Sequence, residues 1–123
     1  MAKLLYPELT YRIRAGLWNV HKILGPGFRE ETYKRATVLE LQSCGLQVEA
    51  EKEYEVLYQG RRVDGFRLDL VVDEKVVLEL KAAEALTTLY ESQLLTYLRA
   101  SGLRVGLLVN FAQVSLQITR RVV

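Results

Sequence analysis

The sequence has very few of the residues that form disulfides and zinc sites. Its single cysteine, Cys44, excludes an internal disulfide and any multi-cysteine metal site. Its single histidine, His21, excludes zinc chemistry that needs several imidazoles. We expect Cys44 to be a small buried hydrophobe and His21 to be a structural residue, because these are the common roles of an isolated cysteine or histidine.

Long apolar runs and strong charge are also absent. No apolar run approaches the roughly 20 residues that span a bilayer, and the N-terminal segment becomes acidic at Glu8, too soon for a signal peptide. The sequence therefore predicts no membrane partner and a cytoplasmic location. The formal net charge of +2 is too small to indicate a nucleic-acid partner by itself. Composition alone thus names no function.

The 123 residues contain no repeat, low-complexity tract or linker, which predicts one domain over residues 1–123. Apolar residues at three- and four-residue steps predict helices over 7–24, 29–44 and 87–100. Apolar alternation and short apolar runs predict strands over 48–58, 63–72, 76–81, 105–110 and 114–118. This order predicts an α/β or α+β domain in which helices pack on a sheet.

Two neighbouring strands, 66–72 and 76–81, carry the most informative pattern. Their even-numbered residues are apolar, so we expect each strand to bury its even-numbered side chains against one core. With a three-residue loop, 73–75, the even-numbered side chains of both strands face that core. A two-residue loop would instead point the even-numbered side chains of one strand to the opposite face of the sheet. The three-residue loop places Asp69 opposite Glu79.

Two carboxylates in this register would lie roughly 5 Å apart between their Cβ atoms. Like charges at that distance repel, and a positive group near them relieves the repulsion. Lys81 and Arg67 could supply it in an ordinary solvent-exposed salt-bridge cluster. A divalent cation could also supply it, because Mg²⁺ is commonly held by one or two carboxylates and waters. The hairpin alone leaves both interpretations open.

Asp69 followed by Glu79-Leu80-Lys81 resembles the Asp…Glu-x-Lys signature of the PD-(D/E)XK nuclease superfamily. Residues 27–33 fit the pattern Gly-x-x-Glu-x-x-Tyr, which gives the GxxExxY branch its name. The segments 21–28 and 106–111 are also similar to that branch. The likeness covers approximately residues 8–123, so the chain is identified as a candidate member of the GxxExxY family.

The resemblance implies a restriction-endonuclease-like αβββαβ core, with a mixed central sheet flanked by helices and an extra N-terminal helix. It implies hydrolysis of phosphodiester bonds in nucleic acid, DNA rather than RNA, with Mg²⁺ or Mn²⁺. Asp69, Glu79 and the Leu80 carbonyl would bind the metal, and Glu30 would complete its shell directly or through water. Lys81 would orient or deprotonate the attacking water.

The resemblance also implies a role for a helix near the site. Gln93 and Tyr97 fit a Gln-x-x-x-Tyr motif found in several branches of the superfamily, and both would line the site. Independently of the resemblance, Arg67 on the strand and Arg61 and Arg62 in the preceding turn are candidate substrate contacts, because their charges could bind phosphate. The two arginines of the turn could equally be solvated. Gln93 could equally be a surface amide, and Tyr97 a core aromatic.

Two alternatives to a nuclease remain at this stage. A catalytically silent module could keep the fold and bind nucleic acid or a protein partner, and the small size of the chain favours it. A small-molecule phosphoesterase could use the same metal site. A domain of this size could also form a homodimer to span a duplex, although no residue establishes it.

Overall fold

The computed structural model describes residues 4–123. In this part of the chain, three helices and five strands follow one another in the predicted order. They are α1 (Pro7–Leu24), α2 (Glu30–Ser43), β1 (Val48–Tyr58), β2 (Arg61–Val72), β3 (Val76–Lys81), α3 (Thr88–Ser101), β4 (Val105–Asn110) and β5 (Gln117–Val122).

Local sequence signals explain where the helices begin and end. α1 has Pro7 at its first position, where the missing amide donor costs nothing, and it ends at Gly25 with a φ of 69°. The Thr87 side chain accepts a hydrogen bond from the Tyr90 amide and caps α3. Gly102, with a φ of 79°, ends α3 in the left-handed conformation that glycine adopts without strain.

The five strands form one mixed sheet in the order β1-β2-β3-β4-β5. β3 and β4 are parallel, and the other neighbours are antiparallel. Parallel neighbours require a crossover connection, which α3 provides. β4 is buried along its whole length, which explains its continuous apolar sequence. The α+β fold expected of a restriction-endonuclease-like core is therefore confirmed.

Helices cover both faces of the sheet. α1 and α2 pack on one face, where they contribute Ile13, Leu17 and Leu41 to a core with the inward residues of β2, β3 and β4. α3 packs on the opposite face, with Leu94 and Leu98 against a smaller core. Each face of the sheet thus has its own apolar core, and each buried strand side chain packs into one core or the other.

The predicted assignment of strand faces is only partly correct. Leu70 and Val72 lie in the core under α1 and α2, as expected. Phe66 and Leu68 instead pack in the core under α3, so the expected single even-numbered face is wrong. The alternation fails at the residue between them, Asp69, where the regular pairing of β2 is interrupted on both sides. One irregular residue is enough to move the rest of a strand to the other face.

Two other expectations are wrong. The last strand was expected over 114–118 but covers Gln117–Val122, because β5 pairs residue for residue with β4 and leaves Val114 88% exposed in the preceding loop. Cys44 is exposed rather than buried, because it follows the last turn of α2 at the surface. His21 is buried, and its Nε2 lies 2.9 Å from the Gln113 carbonyl oxygen.

None of the helices in residues 4–123 has the length and apolar character needed to cross a membrane.

Candidate active site

The site lies at a fork between two strands. The ladder between β2 and β3 runs from Val72↔Val76 to Leu70↔Leu78. Beyond it, β2 continues beside β1 while β3 continues beside β4. Asp69 and Glu79 are the first residues after this ladder, one on each arm of the fork. The three-residue loop and the predicted register are therefore confirmed.

Hydrogen bonds lock the two acids into the fork. The Asp69 amide donates to Glu79 Oε1 at 3.1 Å, and the Leu80 amide donates to Asp69 Oδ2 at 2.9 Å. Each carboxylate thus accepts a hydrogen bond from a backbone amide that would donate to a backbone carbonyl in a regular ladder. The strands separate at this point because side chains have replaced the backbone acceptors.

Both acids are difficult to ionise. Glu79 is only 6% exposed. Burial, reinforced by the negative charge of Asp69, raises the pKa of Glu79 from 4.5 to about 8. Burial also raises the pKa of Asp69, against the opposing effects of the Leu80 amide and of nearby lysines. The solvent-exposed cluster considered from the sequence is wrong, because Glu79 is buried.

Lys81 approaches the fork from the α3 side of the sheet. Its Nζ lies 4.7 Å from the centre of the Tyr90 ring on α3, within cation–π range. Its positive charge lowers the pKa of both Asp69 and Glu79. Two acids and an amine therefore converge on one region of the sheet.

The family profile of the PD-(D/E)XK nuclease superfamily matches residues 7–122. The chain belongs to this superfamily. The match includes the segment with Asp69, Glu79 and Lys81, whose spacing fits the Asp…Glu-x-Lys pattern noted in the sequence.

A solved structure shows a similar fold. It is described as the crystal structure of SSO0001, and it aligns with a TM-score of 0.50 at 12% identity. The alignment covers 98% of this chain and 78% of that chain. The likeness extends to the fold alone. A comparison with curated proteins found no match.

The other residues expected at a PD-(D/E)XK site are exposed or have other contacts. Glu30 is exposed at the first position of α2, and Gln93 is exposed on α3. The Tyr97 ring stacks on Phe66 at 4.6 Å between centroids, which connects α3 to β2. Tyr97 therefore makes the packing contact expected of a core aromatic, which was the alternative to a role in lining the site.

The three arginines lie on the hairpin formed by β1 and β2. The Arg67 guanidinium pairs with Glu53 at 2.8 Å, and both side chains are largely exposed, at 63% and 70%. Arg62 Nε lies 3.9 Å from Glu55, and Arg61 is exposed near the turn. These cations are accessible to a partner rather than gathered at the fork.

Two charged residues near the fork are absent from the sequence-based site. Glu51 on β1 lies across from Asp69, between the pairs Ala50↔Leu70 and Lys52↔Leu68, and has a φ of 57°. Lys34 on α2 forms ion pairs with Glu51 and with Glu31. The charge of Lys34 lowers the pKa of Asp69. No sequence motif marks either residue, since both depend on the register of β1 and on the packing of α2.

The chemistry of the fork fits a divalent cation of the Mg²⁺ type. Within residues 4–123, no group of three or more His, Cys, Asp and Glu side chains is placed to hold a metal ion. Mg²⁺ does not need such a cage, because it is commonly bound by one or two carboxylates and completed by waters. Asp69 and Glu79 supply two such carboxylates, and a cation would offset the cost of burying both.

Proposed function

We propose that this chain is a nuclease that uses Mg²⁺ or Mn²⁺ to hydrolyse phosphodiester bonds in nucleic acid, with DNA as the preferred substrate. The observation that carries the proposal is the fork itself, where hydrogen bonds hold Asp69 and Glu79 side by side with Lys81 adjacent. Membership of a nuclease superfamily supports it.

Each residue at the fork has a role suited to its chemistry. Asp69 and Glu79, helped by the Leu80 carbonyl, would hold the metal, which activates water and neutralises charge on the phosphate. Lys81 would orient the attacking water and stabilise the phosphate oxygens. Glu30, which is exposed at the start of α2, would complete the metal shell directly or through water. Gln93 and Tyr97 would bound the site from α3.

We also propose that the chain is one nuclease-like domain of the GxxExxY branch. Residues 27–33 support this assignment because the pattern has a structural purpose. The Tyr33 hydroxyl donates to the Gly25 carbonyl oxygen at 2.5 Å and accepts from the Phe28 amide at 3.2 Å. Gly27 has a φ of 115°, which favours glycine. The first glycine and the last tyrosine of the pattern thus fix the turn that leads into α2.

The test is cleavage of plasmid and oligonucleotide DNA and RNA in Mg²⁺ or Mn²⁺. We expect wild type to cleave and EDTA to stop it. Asp69→Asn and Lys81→Met should each lower the rate by about 100-fold or more, since each removes a group that acts on the reacting atoms. Asp64→Asn and Lys75→Met are matched controls, because both are exposed charges away from the fork. These controls should stay within about twofold of wild type.

Cleavage at the wild-type rate in Asp69→Asn and Lys81→Met would identify a contaminating nuclease and overturn the proposal. Glu30 is exposed, and two carboxylates therefore remain at the fork. This observation favours one alternative function, a catalytically silent module that binds nucleic acid. That module would bind DNA without cleaving it and would show no metal site dependent on Glu79 in calorimetry.

A further inference from the structure

Glu51 has a backbone conformation that is unusual inside a strand. Its φ of 57° lies in the left-handed region, which is strained for a residue other than glycine. The residues on either side pair regularly with β2, as Ala50↔Leu70 and Lys52↔Leu68, while Glu51 and Asp69 do not. Strain of this kind persists where surrounding contacts hold it, and it concentrates at functional sites.

The contact that holds Glu51 is with Lys34. The Lys34 ammonium bonds to Glu51 Oε1 and lies 3.1 Å from Glu31 Oε2. The Lys34 side chain is only 15% exposed, whereas Glu31 and Glu51 are 41% and 47% exposed. Two partly exposed acids therefore clamp a largely buried cation between α2 and β1.

The clamp places a fixed positive charge beside the fork. Glu51 is across from Asp69 on β1, and Asp69 is across from Glu79 on β3, so the three acids form one row over three neighbouring strands. Lys34 lies at the β1 end of this row, where its ammonium bonds to Glu51. Because Glu51 is directly across from Asp69, the Lys34 charge lies close to the candidate metal ligands. Burial reduces the screening of that charge by water.

We propose that Lys34 is a built-in counter-ion of the candidate metal site, held by Glu31 and Glu51 where it opposes a divalent cation at Asp69 and thereby limits the affinity of the site. This inference rests on the proposed metal site. Lys34 is a positioning residue, since it acts on the metal through the charge at Asp69. Glu51 sets the strength of the effect, because it neutralises part of the Lys34 charge.

The inference predicts two changes of opposite sign in the dissociation constant for Mg²⁺. Lys34→Met removes the opposing cation, so Mg²⁺ should bind about five- to tenfold more tightly. Glu51→Gln leaves the ammonium less neutralised, so Mg²⁺ should bind several-fold more weakly. A merely structural role predicts weaker binding in both variants, because damage to the fold loosens the ligands.

The experiment is calorimetric titration of the full chain with Mg²⁺, supported by thermal unfolding of each variant. Arg35→Met is the control for Lys34→Met, because Arg35 also pairs with Glu31 but is 75% exposed. Glu53→Gln is the control for Glu51→Gln on the same strand. Both controls should stay within about twofold of wild type, since exposed pairs are strongly screened. Lys34→Arg keeps the charge and should restore affinity close to that of wild type.

The outcomes separate this inference from the proposed function. If wild type binds Mg²⁺ in a manner dependent on Glu79, but Lys34→Met binds it equally or more weakly, the counter-ion role is wrong and the metal site stands. If Lys34→Met does not fold, Glu51→Gln decides together with its thermal unfolding. Weaker Mg²⁺ binding at an unchanged unfolding temperature supports the role, whereas unchanged or tighter binding, or weaker binding with a lowered unfolding temperature, overturns it. If wild type shows no Glu79-dependent binding, the metal site itself is wrong and this inference falls with it.

Discussion

Two pairs of charged residues on β2 and its neighbours differ sharply in environment. Arg67 and Glu53 join β2 to β1 as an exposed pair of opposite charges. Two residues further along β2, Asp69 contacts Glu79 of β3, and these two acids form a largely buried pair. The exposed pair satisfies its charges at little cost and contributes little. The buried pair costs stability, and a fold retains such a pair where a ligand offsets the cost.

The comparison predicts how stability changes with pH in the metal-free protein. The pKa of Glu79 is about 8 in the folded chain, against 4.5 for an unperturbed glutamate. The folded state therefore holds its proton more tightly, and this stabilisation is present below the unfolded pKa and is lost as pH rises through the folded pKa. The Asp69 pKa is raised too, with the same sign.

We expect the free energy of unfolding to fall by about 3 kcal/mol between about pH 5 and pH 8.5 in EDTA. Urea unfolding at a series of pH values measures it. A free energy of unfolding that is constant or rises over this range would show that the two acids are not strained by burial.

A divalent ion should reverse the penalty at the buried pair. At a Mg²⁺ concentration of about 100 times the dissociation constant, binding to the folded state adds about 2.7 kcal/mol to the free energy of unfolding. Denaturant unfolding at about pH 8, with and without Mg²⁺, measures this gain. The gain should vanish in Asp69→Asn. An equal gain in that variant would place the bound ion elsewhere in the molecule.

Neutralising one acid should stabilise the metal-free protein. Glu79→Gln keeps an oxygen that can accept the Asp69 amide but removes the buried charge, so we expect about 2 kcal/mol more stability at about pH 8.5. Glu53→Gln makes the same change in the exposed pair and should alter stability by less than about 0.5 kcal/mol. Loss of stability in Glu79→Gln would mean that the carboxylate itself supports the fold.

Removing the exposed cation should produce the smallest effect on stability and a separate effect on binding. Arg67→Ala should change the free energy of unfolding by less than about 0.5 kcal/mol. If Arg67 contacts phosphate, the slope of log affinity for DNA against log salt should become about 1 unit less steep. Fluorescence anisotropy with a labelled duplex measures that slope. An unchanged slope would remove Arg67 from the candidate substrate contacts.

The sequence predicted the parts of the fold that depend on local pattern. The apolar spacing of Ile13, Leu17 and Val20 located α1 and its buried face, and these residues are buried in the structure. The parity of apolar residues in β2 and β3 predicted the three-residue loop and the opposition of Asp69 and Glu79. The loop length and the opposition of the two acids both depend on residues that are close together in the chain, so an apolar pattern can predict them.

The parts that could not be predicted depend on irregular backbone. A two-residue turn at Gln59-Gly60 pairs Tyr58 with Arg61, and a regular continuation of that pairing would set Glu51 beside Leu68. The register shifts at Val56/Leu57, and this shift brings Glu51 across from Asp69 instead. The amino-acid composition of β1 does not predict such a bulge.

The short connection between the two acids has a consequence for the order in which the molecule assembles. Asp69 and Glu79 are ten positions apart in the chain, and only Asp73–Lys75 loops out between their strands. Closing so small a loop costs little chain entropy, whereas the parallel contact with β4 must wait for all of α3. A growing chain can therefore bring its two mutually repelling acids together before β4 and β5 have emerged to bury them.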